Sequence, residues 1–114
     1  MSFSMTTEQV RNRTKWVTRR LGWMNIKLGE VHQAIEKGQG LKKGEHVMVI
    51  CKIIPLSSHW EPLRRLLDDP VYGKWEVIRE GFPEMSPAEF VEMFCEHNKC
   101  TPDIWVNRIE FRYA

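Results

Sequence analysis

Apolar and polar positions alternate along several stretches of the chain and predict a strand-rich domain. Residues 104–113 alternate aromatic or aliphatic side chains with charged ones, and Asn107 is the polar exception on the apolar face. Residues 31–37 alternate in the same way, whereas 45–54 are apolar on both faces, which is typical of a central strand. A short first strand at Phe3 and Met5, an extended stretch at 16–20 and a strand over 72–78 complete the predicted set.

Three segments carry helix signals. Thr6 and Gln9 form the ends of a capping-box sequence, which predicts a short helix through about Asn12. Pro62 in a first helical position predicts a helix over 62–67, with Pro55 ending the strand before it and Asp69-Pro70 ending the helix. Ser86-Pro87-Ala88-Glu89 predicts a capped helix that ends near 98 and carries one apolar stripe. Five to six strands with two to three short helices indicate an α+β fold, in the form of a small β-barrel.

Length and composition fit one domain over residues 1–114. The chain has 114 residues, of which 42% are hydrophobic, enough for a core without a metal or disulfide. No apolar run reaches the roughly 20 residues of a membrane helix, and residues 1–4 lack the features of a signal peptide. Three cysteines, an odd number, fit reduced thiols. We therefore expect a cytoplasmic protein without membrane association.

Positive charge is concentrated near the beginning of the chain. Residues 11–27, the basic segment, hold six of the 17 Lys and Arg residues and no acidic residue. The rest of the chain has 11 basic and 15 acidic residues, a net charge of −4. Basic residues interleaved with aromatic ones are typical of nucleic-acid binding. A solvated basic face that pairs with the acidic body is the alternative.

Several phrases, taken in order, resemble the ASCH family, a branch of the PUA-like barrels. Lys15-Trp16-Val17-Thr18-Arg19-Arg20 is similar to the family's Lys-x-x-Thr-Arg-Arg signature. It follows a strand and capped helix over 3–10, and it precedes a turn at 28–30, Glu80-Gly81-Phe82 and a closing strand over 106–113. The resemblance implies a PUA-like barrel with a cleft formed by Lys15, Thr18 and Glu80. It also implies a function with RNA or nucleosides as partners.

Some members of this family are small bacterial amidohydrolases that remove the acetyl group from acetylated cytidine, and others are reported as nucleases. The resemblance makes Thr18 the nucleophile, Lys15 the base and Glu80 a proton shuttle or orienting group. A Thr hydroxyl needs such a base, and a Lys can serve if burial or nearby cations lower its pKa. Trp16 stands where the amidohydrolases have a second Thr, so it is expected to narrow the pocket or supply a stacking face. The alternative is that Thr18 is an ordinary strand residue, Lys15 a surface charge and Glu80 its salt-bridge partner.

The basic segment supplies the expected nucleic-acid contacts. Arg19 and Arg20 are the favoured phosphate contacts, since guanidinium groups match phosphate oxygens, and a solvated strand edge is their alternative role. Trp16 and Trp23 could stack on a base, although core packing is favoured for Trp23. The predicted nucleic-acid-binding set is Arg13, Trp16, Arg19, Arg20, Trp23 and Lys27. Trp60, Trp75 and Trp105 are assigned to the core.

No cofactor and no metal are predicted. Cys95 and Cys100 do not predict a zinc site, because residues five apart on a helix point in different directions. The chain is expected to be a monomer. Binding of RNA or a nucleoside, amidohydrolysis and protein interaction through the acidic segment 83–96 stay open as functions, in that order of preference.

Overall fold

The computed structural model describes residues 1–37, 44 and 46–114. Its helices are α1 (Thr7–Arg11), α2 (Arg65–Asp68), α3 (Pro70–Arg79) and α4 (Pro87–Asn98). Its strands are β1 (Val17–Arg20), β2 (His32–Ile35), β3 (Val49–Pro62) and β4 (Trp105–Tyr113). All strand pairs are antiparallel, in the order β1-β4-β3-β2, and the sheet curls into a half-barrel. The fold is therefore α+β and barrel-like, with four strands in the described residues rather than five or six.

The two edges of the sheet approach each other through the N-terminal residues. Ser2 forms an isolated parallel bridge with Ile35 of β2, and the Phe3 amide donates to the Ile35 carbonyl at 2.8 Å. The Phe3 ring also lies against Arg20 of β1, with 4.7 Å from the guanidinium carbon to the ring centroid. The predicted first strand is thus a single bridge, and it brings β2 and β1 to the same side of the molecule.

Two apolar clusters hold the fold together. The first packs the N-terminal residues and α1 against one face of the sheet, and includes Phe3, Val10, Ile53, Ile109 and Phe111. The second lies between the helices and the start of β4, and consists of Leu63, Leu66, Val77, Phe90, Val91, Phe94 and Val106. Burial of such side chains is worth roughly 1.5–3 kcal/mol each, so the two clusters dominate the favourable free energy of folding.

The helix at Ser86 has the predicted start. The Ser86 side chain accepts a hydrogen bond from the Glu89 amide, and Glu89 accepts one from the Ser86 amide, so the capping box is complete. The predicted capping box at Thr6 is wrong, because its side chain forms no capping hydrogen bond, although α1 does begin at Thr7.

The strand predicted over 72–78 is wrong. These residues belong to α3, where the Asp69 side chain caps the helix by accepting from the Tyr72 amide at 3.2 Å and Pro70 occupies the first turn. Asp69-Pro70 is therefore a helix start as well as a helix end. Pro55 does not end its strand either: β3 continues through a bulge between Pro55 and Ser57 and ends at Pro62, so α2 starts later than predicted.

All five tryptophans are substantially exposed. The exposed fraction runs from 39% for Trp16 and Trp60 to 60% for Trp105. The assignment of Trp23, Trp60, Trp75 and Trp105 to the core is therefore wrong, and Phe, Leu, Ile and Val side chains fill the core instead.

The predicted turn at 38–40 and the predicted strand start at 43–45 fall largely outside the described residues. Within the part of the chain that the structure describes, no helix combines the length and apolar character needed to cross a bilayer.

Candidate functional site

The chain enters the site through a sharp helix end. After α1, Arg13 adopts a left-handed backbone conformation with a φ of 60°, and the Thr14 amide donates to the Gln9 carbonyl at 2.8 Å. This pattern closes the helix and reverses the chain. Lys15 therefore lies before β1 begins at Val17, and the alternation of strand side chains does not apply to it. Lys15 and Thr18 can thus reach the same cavity despite being three residues apart.

Lys15 and Glu80 form a buried ion pair across 65 residues of sequence. The Lys15 ammonium donates to Glu80 Oε1 at 2.6 Å and to the Glu80 carbonyl at 3.1 Å. Both side chains are less than 5% exposed. Glu80 occupies the C-cap of α3, and Gly81 follows with a φ of 98°. A Cβ on Gly81 would lie 2.8 Å from the Gln9 side chain and 3.3 Å from the Lys15 Cβ, and side chains rarely adopt this φ, so the turn favours glycine.

Lys15, Thr18 and Glu80 all line one cleft, which we call the site cleft. Its volume is about 140 Å³. The lining from β1 and the residues before it is mostly polar, and we call it the polar wall. The lining from α4 and the turn before it, the apolar wall, is mostly apolar and also includes His97 and Asn98, and residues 2–6 complete the cleft. The aromatic side chains that line the cleft are Phe3, Phe82, Phe90 and Phe94.

Strand geometry sends Thr18 and Arg20 to one face of β1 and Arg19 to the other. Thr18 pairs with Ile109 and Arg20 with Asn107 across β4, so they share the face of the sheet that carries Ile109. Arg20 Nε donates to Thr18 Oγ1 at 3.1 Å. Thr18 is only 3% exposed, so its hydroxyl lies inside the protein with the Arg20 guanidinium beside its oxygen.

Arg19 occupies the centre of a buried cluster of charges. Its guanidinium donates to Glu80 at 2.9 Å, to Glu76 at 2.5 Å and to Glu61 at 3.2 Å. Arg108 also binds Glu76, and Arg65 and the Tyr72 hydroxyl bind Glu61. We call these seven residues the Arg19 cluster: Arg19, Glu61, Arg65, Tyr72, Glu76, Glu80 and Arg108.

The charges shift the pKa values of the site in identifiable directions. Burial lowers the pKa of Lys15 below its ordinary value of 10.5; Glu80 opposes this shift, and Arg20 and Arg19 add to it. Burial also lowers the pKa of Arg20, to about 10, against the attraction of Glu80. Burial alone would raise the pKa of Glu76, but Arg108 and Arg19 outweigh it and lower that pKa to about 2.

The predicted nucleic-acid-binding residues do not form one surface. Arg20 and Arg19 line the site cleft, but the Arg19 side chain is fully buried and held by carboxylates, so neither of its predicted surface roles fits. Trp16, Trp23, Lys27 and Arg13 are exposed and lie outside the cleft lining. Trp16 therefore does not narrow the pocket. Arg13 stacks instead on the Tyr113 ring, 5.4 Å from its centroid.

The prediction that the thiols of Cys95 and Cys100 point apart is wrong. Helix α4 ends at Asn98, and Lys99 adopts a left-handed conformation with a φ of 53°. The Cys100 amide then donates to the Cys95 carbonyl at 3.1 Å, which folds the chain back. Burial raises the pKa of Cys95 to about 11, with a smaller contribution from a hydrogen bond to the Cys100 thiol. In the described residues no three His, Cys, Asp or Glu side chains gather as metal ligands.

Five members of the Arg19 cluster were not predicted as site residues from the sequence: Glu61, Arg65, Tyr72, Glu76 and Arg108. Glu61 lies in β3 and Glu76 in α3, and both are buried. The wrong prediction of a strand over 72–78 gives no reason to place Glu76 beside Glu80, whereas the helix does. One signal was available: on a helix, Glu76 and Glu80 are four residues apart and so share a face.

Comparison with known proteins returned no match among family models, curated proteins or solved structures.

Proposed function

We propose that this chain is an ASCH-type domain that binds a nucleoside, free or unstacked from an RNA strand, in the site cleft. The observation that carries the proposal is the convergence of Lys15, Thr18 and Glu80, which are up to 65 residues apart in sequence, on one cavity. These are the three residues that the resemblance to the ASCH family implies.

The two walls of the site cleft suit a heterocyclic base. Ligand sites are largely apolar with a few well-placed polar groups, and unstacked bases bind between aromatic side chains. Phe82, Phe90 and Phe94 supply the apolar side, and Lys15 and Thr18 supply donors and acceptors on the other. A base between these walls would have hydrogen-bonding groups on its edge and apolar contacts on its faces.

Calorimetric titration with the four ribonucleosides tests this proposal. Saturable binding to the wild type should weaken by about tenfold or more in Thr18→Val, which keeps the shape of the side chain but removes the hydroxyl. Thr101→Val changes an exposed threonine outside the cleft lining and should leave the affinity unchanged. Absence of saturable binding, or equal affinity in the Thr18 and Thr101 variants, would contradict the proposal.

Hydrolysis of an acylated cytidine is the second candidate function. The lowered pKa of Lys15 is the direction that a general base needs, because the neutral amine, which can accept a proton, then forms at lower pH than in an exposed lysine. Lys15 would take the proton of the Thr18 hydroxyl while Thr18 Oγ1 attacks the acyl carbon. The bond from this carbon to the amine nitrogen would then break as the nitrogen receives that proton, through Lys15 or Glu80. Water would release the acyl group from Thr18 as a carboxylic acid.

Mass spectrometry of cytidine released from N4-acetylcytidine tests this second candidate. We expect Thr18→Ala to lower the rate by about a hundredfold or more, the usual scale for removing an activated group. Thr101→Ala should retain the wild-type rate. If wild type releases no cytidine, or if Thr18→Ala matches it, the cleft is not a hydrolytic site of this kind.

A further inference from the structure

Arg20 differs from the other charged groups of the site in having no ion-pair partner among the described residues. Among the residues that the structure describes, no carboxylate lies within salt-bridge distance of its guanidinium, whereas the adjacent Arg19 binds three. The described contacts of the Arg20 side chain are a hydrogen bond from Nε to Thr18 and the face of the Phe3 ring. These contacts leave the two terminal nitrogens of the guanidinium without a described acceptor.

The neighbouring charges do not neutralise Arg20. Glu80, the acidic residue of the cleft lining, is already bound by Lys15 and Arg19, one on each carboxylate oxygen. The polar wall therefore has an excess of positive charge. Burial lowers the pKa of Arg20 although Glu80 opposes this shift; burial also lowers the pKa of Lys15, where Arg20 and Arg19 add smaller contributions in the same direction. Arg20 nevertheless stays protonated at neutral pH.

The position of Arg20 also fits a fixed receptor for an anion. Stacking on Phe3 and bonding to Thr18 hold the plane of the guanidinium, so less side-chain entropy is lost when a ligand binds. A guanidinium edge matches the oxygens of a phosphate in a two-point contact. In a partly desolvated cleft such a contact is stronger than at an exposed surface.

We infer that Arg20 forms a phosphate subsite in the site cleft, and that the ligand is a nucleotide rather than a neutral nucleoside. This inference rests on the proposed function for the nucleoside part of the ligand. The phosphate belongs either to a free nucleoside monophosphate or to the backbone next to an unstacked base of RNA.

Parallel titrations of cytidine, cytidine 5′-monophosphate, the dinucleotide CpC and inorganic phosphate test the inference. We expect the better of the two phosphate-bearing cytidine ligands to bind about tenfold or more tightly than cytidine, which corresponds to one charge-assisted contact. Preference for the monophosphate would identify a free nucleotide as the source, and preference for CpC would identify RNA. Raising the salt concentration should weaken the favoured ligand but not cytidine.

Two variants separate the subsite from general charge. In Arg20→Gln the favoured ligand should bind no more tightly than cytidine binds to the same variant, so the ratio of the two affinities falls to about one. Arg112→Gln removes an exposed arginine of β4 outside the cleft and should leave the ratio unchanged. If Arg20→Gln does not fold, Arg20→Lys keeps the charge without the planar fork and should lower the ratio in part.

The possible outcomes distinguish this inference from the proposed function. Equal wild-type affinities for cytidine and both phosphate-bearing ligands would overturn the phosphate subsite and leave nucleoside binding intact. If Arg20→Gln keeps the preference for the phosphate-bearing ligand, Arg20 does not form the phosphate subsite, and nucleoside binding again stays intact. Binding of inorganic phosphate that depends on Arg20, without any binding of cytidine, would support the subsite and refute the proposed function.

Discussion

Arg19 and Arg20 are neighbours of the same type, yet their environments are opposite. Arg19 pairs across the sheet with Arg108, on the face that meets α3, and is enclosed by carboxylates. Arg20 pairs with Asn107 on the other face and has no carboxylate partner in the described part of the chain. Strand alternation could be predicted from the sequence, but not which face carries the acidic groups. The identity of the buried arginine therefore needed the structure.

This contrast predicts different effects on stability. Arg19→Gln should lower the free energy of unfolding by about 3–5 kcal/mol, because three buried carboxylates lose their shared partner. Arg20→Gln should change it by less than about 1 kcal/mol, because burial of that charge already disfavours the folded state. Urea unfolding of the two variants measures both values. Equal losses in the two variants would contradict the assigned environments.

Glu76 predicts how stability depends on pH. Its pKa is about 2 in the folded protein and 4.5 when unperturbed, so the unfolded state binds the proton more tightly. Ionised Glu76 therefore contributes stability above pH 4.5, about 3 kcal/mol from the size of the shift, and this is lost as the pH falls toward 2. In Glu76→Gln, urea unfolding at a series of pH values should show a smaller loss over this range. A loss as large as that of the wild type would exclude Glu76 as its source.

At the scale of elements, the helix signals near Pro70 show what the sequence could and could not reveal. Asp69 and Pro70 are a good N-cap and first-turn pair, and the signal was present in the sequence. Tyr72, Val77 and Ile78 nevertheless resemble a strand, because aromatic and β-branched residues favour one. Packing decides between the two: Val77 and Phe90 belong to the same apolar cluster, where α3 lies against α4.

The close contact between α2 and α3 predicts that one added methyl group, at Gly73, lowers the stability of the protein considerably. A Cβ on Gly73 would lie 2.0 Å from the Leu66 carbonyl oxygen, which is a backbone atom that no rotamer change can move. Gly73→Ala should therefore destabilise the protein by about 2 kcal/mol or more, as forced overpacking does. Gly22→Ala is the matched control, because a Cβ there has nothing within 4 Å. Thermal unfolding of both variants measures the difference, and similar melting temperatures would refute the close contact.

At the scale of the whole molecule, the fold class and the residues of the cleft were easier to predict than the surface. Alternation identified most of β2 and β4, and two separate phrases, at Lys15 and at Glu80, named side chains that the structure pairs. The tryptophans were misassigned because hydrophobicity alone does not say where a large side chain ends up. Trp75 lies on an outward face of α3 and Trp105 at the start of β4, and both are more than half exposed.

The exposure of the tryptophans predicts how strongly a quencher reduces their fluorescence in the folded protein. All five tryptophan residues are 39% or more exposed, so the quencher acrylamide should reach them nearly as well in the folded as in the unfolded state. Stern–Volmer plots with and without urea measure this ratio. A folded protein with strongly shielded tryptophan emission would contradict the exposure, or would show that another copy of the chain covers these side chains.

The Arg19 cluster has an evolutionary consequence. Arg19 and the three glutamates each bind at least two charged partners, so a single replacement leaves a buried charge uncompensated, whereas a joint replacement by apolar residues of similar volume is often tolerated. Stepwise mutation must therefore pass through unstable intermediates to remove the cluster. Descendants of this chain should keep its arginines and glutamates as a block or lose them together, whether or not the cleft beside them retains its ligand.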